Sequence, residues 1–245
     1  MFTATILIKI AFAYTPWGSV FDMVNEVVAA PIMNVGSSVW APIVVRTLAC
    51  TLWFFGVHPS AISSMYTPVI TACNLANVEA FVAGDPLPYL DWAIMNFMLA
   101  AGGTTEGIGL MLSSLTAKSE RYKVVSRLGA IPGICNITEP LMFGLPAVLN
   151  PSYFIPMVLI KPVVGLWTLL MITLGVTASF NPTISMPWIT PTIITAFMQG
   201  GLGLFITAAG AIALSFLLYL PFFKMLDHQA LAEEATAAKA EPEEA

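Results

Sequence analysis

Residues 132–151 read PGICNITEPLMFGLPAVLNP, and the reading of the whole chain turns on them. One carboxylate, Glu139, stands among apolar residues, and prolines interrupt the run at 132, 140, 146 and 151. Each proline removes a backbone donor and clashes with the preceding helical turn, so a continuous membrane-spanning helix cannot hold this segment. Broken backbone at membrane depth survives only where protein buries it or where it lines a wet cavity. An ionisable group there is costly and marks a functional site by default. The stretch therefore reads as a binding loop inside a transporter.

The surrounding composition is that of a protein dissolved in lipid. Of 245 residues, 58% are hydrophobic and only 9% charged, with a mean hydropathy of +0.84; soluble domains carry about 25% charge. The net charge of −5 arises in the tail, where residues 227–245 hold Asp227, Glu233, Glu234, Glu241, Glu243 and Glu244 against Lys239. The rest is neutral, so no basic face invites nucleic acid. Cys50, Cys73 and Cys135 form no CxxC pair, which points to neither a disulfide framework nor a metal site, and no cofactor motif appears. Met1–Ala13 lacks the basic lead and small-residue cleavage site of a signal peptide.

A bilayer crossing needs about 20 apolar residues. Trp92–Leu115, Tyr153–Ala178 and Gly201–Phe223 meet that length, and Ser38–Val57 is a shorter candidate carrying Arg46. Met1–Tyr14 is apolar but too short, and its abrupt start suggests that further spans precede it. In Gly18–Ser38, Phe21, Val24 and Val28 share one helical face, as an amphipathic linker helix requires. Pro59–Leu90 reads as broken by Pro68, Pro86 and Pro88, and Asn181–Pro191 (NPTISMPWITP) is another proline-broken stretch. Lys118, Arg121, Lys123 and Arg127 mark a cytoplasmic loop. If both broken stretches re-enter without crossing, the C-terminus is also cytoplasmic. The expected fold is thus an all-α polytopic membrane bundle with re-entrant hairpin loops. Its parts are a truncated span and linker (1–38), a transport domain (39–227) and an acidic cytoplasmic tail (228–245).

Several side chains carry chemistry. Glu139, preceded by Asn136 and Thr138 and followed by Pro140, can point a carboxylate and an amide into a cavity, as carbohydrate hydroxyls require. It can equally neutralise a buried cation, for which Arg46 and Lys161 are available. His58 ends LWFFGVHP and reads either as a hydrogen-bonding residue or as a catalyst. Glu106, in AGGTTEGIG, is a second intramembrane acid, either a proton or cation site or a group facing a water-filled vestibule. Trp188 is placed for stacking on a sugar or for anchoring at the interface. No Walker loop, Ser-His-Asp set or metal-ligand spacing is present.

These motifs resemble a known family. PGICNITEPLMFGLPAVLNP is similar to PGIFNINEPVIFGLPIVLNP of the lactose/cellobiose (diacetylchitobiose) class of phosphotransferase-system sugar permeases, the enzyme IIC membrane components. LWFFGVHP, GDPLPYL, GGTTEGIGL, MPWITPT and LYLPFFKMLD resemble that family's WFFGIHG, GEPLPYI, GGTGATLGL, VPWTTPP and YYPFFKIYDK. The likeness is collinear from about residue 20 to 228 and corresponds to the C-terminal portion of such permeases. It implies a multi-pass protein of the bacterial cell membrane that binds a disaccharide and moves it by an elevator-like motion. The sugar's 6-hydroxyl is then phosphorylated by a cytoplasmic IIB protein carrying a phosphocysteine, so transferase activity exists only together with that donor. The resemblance implies that Glu139 and His58 hold and orient that hydroxyl, with Glu139 or His58 taking its proton, that Trp188 stacks on the sugar, and that Asn136 is a hydrogen-bonding or loop-shaping neighbour; Thr138, beside them, is a further substrate-binding candidate. It also implies a homodimer once the N-terminal helices are supplied. Pro59, Thr138 and Glu106 depart from the family's glycine, asparagine and small residue. A proton-coupled transporter using Glu106 and Glu139, and a non-transporting fragment, remain alternative readings.

Overall fold

The computed structural model describes residues 15–16, 36–100 and 107–240, and every element in them is helical. The helices are α1 (Ala41–Phe54), α2 (Pro59–Ala83), α3 (Leu90–Ala100), α4 (Ile108–Ser114), α5 (Glu120–Ile134), α6 (Glu139–Gly144), α7 (Pro151–Thr173) and α8 (Thr192–Ala240). Glu106, the stretch Met1–Tyr14 and the amphipathic linker expected over Gly18–Ser38 lie outside the described residues, apart from the last few positions of that linker.

Helix α7 is the centre of the bundle and packs against α1, α3 and α8. Tyr153, Met157, Ile160 and Val164 follow a helical spacing and are fully buried, so they form one continuous face. That face meets Met95, Met98 and Leu99 of α3 and Leu204, Ala208 and Ala211 of α8 in a single core. Because lipid tails are as apolar as these side chains, close packing rather than expulsion of water holds such helices together. Only α7 and α8, among the described residues, are long and apolar enough to cross a bilayer. Of the span expected at Trp92–Leu115, the described residues include α3 and α4, and residues 101–106 lie outside them.

Pro59–Ala83, expected to be broken, is instead one helix of 25 residues that passes through Pro68. A helix inside a bundle tolerates proline because neighbouring hydroxyls and helices compensate the lost donor. Here Thr67 Oγ1 donates to Ser63 O at 3.2 Å, beside the Ser64 carbonyl that Pro68 cannot serve. The true stop is Gly84, whose φ of 80° ends the helix. Asn77, fully buried, then pins the following loop by accepting from the Tyr89 N–H at 2.9 Å and donating to the Tyr89 carbonyl at 3.1 Å.

The 132–151 segment folds back as a helical hairpin. Helix α5 runs through Pro132, turns at Cys135–Thr138, and α6 packs against it. Gly129 permits this contact, since a Cβ there would stand 2.4 Å from Leu141 Cδ2.

Helix α8 is two helices joined at Gly201, whose φ of 61° and ψ of −152° only glycine adopts without strain. Its far end continues as helix to Ala240, so the boundary drawn at residue 228 falls inside an element. There it meets the basic loop. Asp227 accepts from Lys118 N–H at 2.8 Å, from Ser119 N–H at 3.0 Å and from the Ser119 hydroxyl at 2.7 Å. One turn pair further, Glu234 accepts from Glu120 and Arg121 N–H. The acidic tail thus caps the N-terminus of α5, whose first donors have no intrahelical partner. Basic loop and tail meet at the same end of the bundle.

Two stability predictions follow from this geometry. Gly201→Ala forces a Cβ into a glycine-only conformation and should lower stability by about 1–3 kcal/mol, read as a lower melting temperature in detergent. Asp227→Ala removes the cap and should cost about 1–2 kcal/mol; an unchanged melting temperature would show that the cap carries no stability.

Candidate functional site

Proline after His58 sets the first half of the site. A residue before proline is pushed out of the helical region, and His58 has φ −60° and ψ 135°, which makes it the N-cap of α2. Its Nδ1 accepts from the Ser60 N–H at 3.2 Å and lies 2.8 Å from Ser60 Oγ. A nitrogen that accepts from a backbone donor bears no proton, so the neutral ring carries its hydrogen on Nε2. That atom is the one directed at Glu139, with Nε2 3.8 Å from Oε1. Trp53 supports the imidazole edge-on, the ring centroids 6.0 Å apart.

A backbone tie brings Glu139 to this histidine. The Leu149 N–H donates to Phe54 O at 2.9 Å, fastening the turn after α6 to the end of α1. Phe54 and Phe154 pack edge to face at 4.9 Å over the same junction. Glu139 opens α6, with Pro140 behind it in the first turn. The side chains of His58 and Glu139 remain 60% and 49% exposed, so both can meet a ligand. At 3.8 Å they do not form a direct hydrogen bond. A hydroxyl oxygen fits beside the pair, donating to the carboxylate and accepting from Nε2–H.

Asn136 is spent on architecture. With a φ of 66° it occupies the left-handed region that asparagine tolerates. Its Nδ2 donates to the carbonyls of Trp188 and Thr190, both at 2.8 Å, and its Oδ1 accepts from Thr192 Oγ1 at 3.0 Å. The amide thereby latches the 181–191 loop onto the hairpin. Thr138 is 3% exposed and is not in the wall of the cavity described below; its carbonyl accepts from Leu141 and Met142 N–H.

A cavity of about 530 Å³ lies between α2, α3, the start of α8 and the 181–191 loop. Its walls include Asn96, Phe97, Asn136, Phe180, Trp188 and Gln199, and no charged side chain among the described residues. Ligand pockets typically span about 300–1,000 Å³, so a disaccharide-sized neutral solute fits. Trp188, 72% exposed, offers its ring to this space. His58 and Glu139 are not in the cavity wall; Asn136, three residues before Glu139, joins the two places. Asn96 and Gln199 were not singled out from the sequence. Their signal was present: each is an amide inside an otherwise apolar run, WAIMNFML and AFMQGGLG.

The arrangement defines a polytopic helical membrane protein with an internal polar site closed by proline-broken loops. Residues 1–160 match the family described as "Phosphotransferase system, EIIC". The galactose-specific EIIC component of Lactococcus lactis subsp. cremoris (strain MG1363) is 39% identical over 241 residues, which are 97% of this chain and 53% of that protein. The oligo-beta-mannoside-specific EIIC component of Bacillus subtilis (strain 168) is 30% identical over 246 residues, 96% of this chain and 54% of its own length. The lactose-specific EIICB component of Staphylococcus aureus (strain N315) is 36% identical over 196 residues, covering 74% and 32%. Among solved structures, the transporter ChbC, the IIC component of the N,N'-diacetylchitobiose-specific phosphotransferase system, superposes with a TM-score of 0.81 at 28% identity, covering 95% of this chain and 55% of ChbC. The chain belongs to the phosphotransferase-system EIIC family. It spans about half the length of the EIIC relatives it matches.

The latch predicts a local effect. In Asn136→Ala the Asn181 and Thr190 amides should exchange hydrogen at least about tenfold faster, given the loss of three hydrogen bonds, while α7 exchange stays unchanged. Equal protection in both forms would remove the latch role.

Proposed function

We propose that this chain forms the sugar-binding part of a phosphotransferase permease, taking a neutral disaccharide of the cellobiose, lactose or chitobiose type. The observation that carries the reading is the meeting of His58 and Glu139, from separate helices, beside an uncharged cavity bordered by Trp188. The ring of Trp188 stacks on a sugar face. The 6-hydroxyl sits between Nε2–H of His58 and the Glu139 carboxylate.

A phosphorylated cysteine on a cytoplasmic IIB protein then approaches. The sugar O6–P bond forms, the P–S bond breaks, the thiolate leaves, and the hydroxyl proton passes to Glu139 as general base. His58, its Nδ1 held by Ser60, keeps its proton on Nε2 and orients the oxygen. The B component in the name of the lactose-specific relative supports a IIB partner. The shared end of the basic loop and the tail supports a cytoplasmic C-terminus. A homodimer would form where N-terminal helices are supplied.

Membrane vesicles holding the chain, a IIB protein and its phosphodonor should convert a labelled disaccharide to sugar phosphate, and an uncoupler should not prevent it. Glu139→Gln should slow that conversion by roughly 10² or more, within the range for a general base, and His58→Ala should also reduce it. Undiminished conversion by Glu139→Gln would sink the assigned role, and uptake that needs no phosphodonor but collapses with the uncoupler would favour proton coupling.

A further inference from the structure

Two side-chain oxygens in the cavity wall have no hydrogen-bond partner. They are Asn96 Oδ1 on α3 and Gln199 Oε1 at the end of the first segment of α8. Asn96 is 8% exposed, so its amide cannot rely on bulk water. Gln199 Nε2 donates to Ile184 O at 2.7 Å, which identifies the carbonyl as the end of that amide left without a partner. A buried acceptor without a donor is costly, and such an atom in a cavity wall marks a place where a ligand donor is welcome.

We propose that Asn96 and Gln199 form an acceptor pair for the second ring of the disaccharide, the ring remote from His58 and Glu139. This rests on the permease reading and assigns specificity residues to that same site. Three features select a sugar. Both free atoms are carbonyl oxygens, so they ask for hydroxyl or amide N–H donors. The described wall is uncharged, which disfavours an ionic ligand. Phe97 and Phe180, with ring centroids 6.2 Å apart, and Trp188 cover apolar faces between those donors. Neither oxygen is open to water in this form. The terminal torsion of a side-chain amide is soft, and a small rotation turns each oxygen to the ligand.

The purified chain in detergent is titrated with lactose, cellobiose and N,N'-diacetylchitobiose, and with galactose and glucose, following tryptophan fluorescence. Asn96→Leu and Gln199→Met each remove an acceptor at similar size. Each should weaken the preferred disaccharide about three- to tenfold, the effect of one neutral hydrogen bond, with monosaccharide binding unchanged. Gln199→Met decides the question if Asn96→Leu fails to assemble. Disaccharide affinity unchanged in the variants overturns the acceptor pair alone, as does equal loss for both sugar classes. Failure of the unsubstituted chain to bind any of the five sugars overturns the permease reading and the pair with it.

Discussion

The side-chain amide of Asn136 holds two pieces of broken backbone together, and much of the site depends on it. The 181–191 loop contains prolines at 182, 187 and 191, which accept hydrogen bonds but cannot donate them. Its carbonyls need donors, and in a helical bundle surrounded by lipid no bulk water supplies them. Asn136 gives both of its N–H groups to the carbonyls of Trp188 and Thr190. One residue thereby satisfies the loop, sets the position of Trp188, and fixes the loop against the hairpin that carries Glu139. The left-handed backbone at Asn136 is part of the same device, because it turns the chain between α5 and α6.

The His58–Glu139 pair rests on different physics. A contact at 3.8 Å between half-exposed partners contributes little to stability. Its value is positional. Pro59 places His58 at the start of α2, Ser60 fixes which ring nitrogen bears the proton, and the tie from Leu149 to Phe54 draws the hairpin into range. The family's glycine at position 59 would not impose the same restriction on His58. The departure from that glycine has a local effect here: it preorganises the imidazole as a helix cap.

Much of this was legible before any coordinates. Glu139, His58 and Trp188 stood out because polar or aromatic groups beside prolines in apolar sequence are rare and costly. The helical class followed from composition and span length. Pro68 misled, since a proline read alone signals a break, whereas a helix packed in a bundle continues through it. Adjacency to Glu139 says nothing about direction, and the turn buries Thr138. The capping of α5 by Asp227 and Glu234 was hidden by sequence distance, because more than a hundred residues separate donors from acceptors. Asn136 was visible as a loop-shaping residue, yet its partners in another loop were not.

The break at Gly201 explains how one long element serves two tasks. Thr192, Thr195 and Gln199, on the short first segment, line the cavity, while the long second segment packs on α4 and α7. A continuous helix would couple these, so that any shift of the cavity wall would lever the whole span. The glycine-only conformation at Gly201 changes the chain direction between them. The second segment is anchored just past the break, where Trp167 Nε1 donates to Thr207 O at 2.9 Å and Thr177 Oγ1 donates to Gly203 O at 3.2 Å. The first segment is held instead by loop contacts: Asn181 N–H to Gln199 O, and Thr192 to Asn136. The wall bearing Gln199 is thus tied to the two proline-broken loops by hydrogen bonds and to the helical core by Ile193 and Ala196.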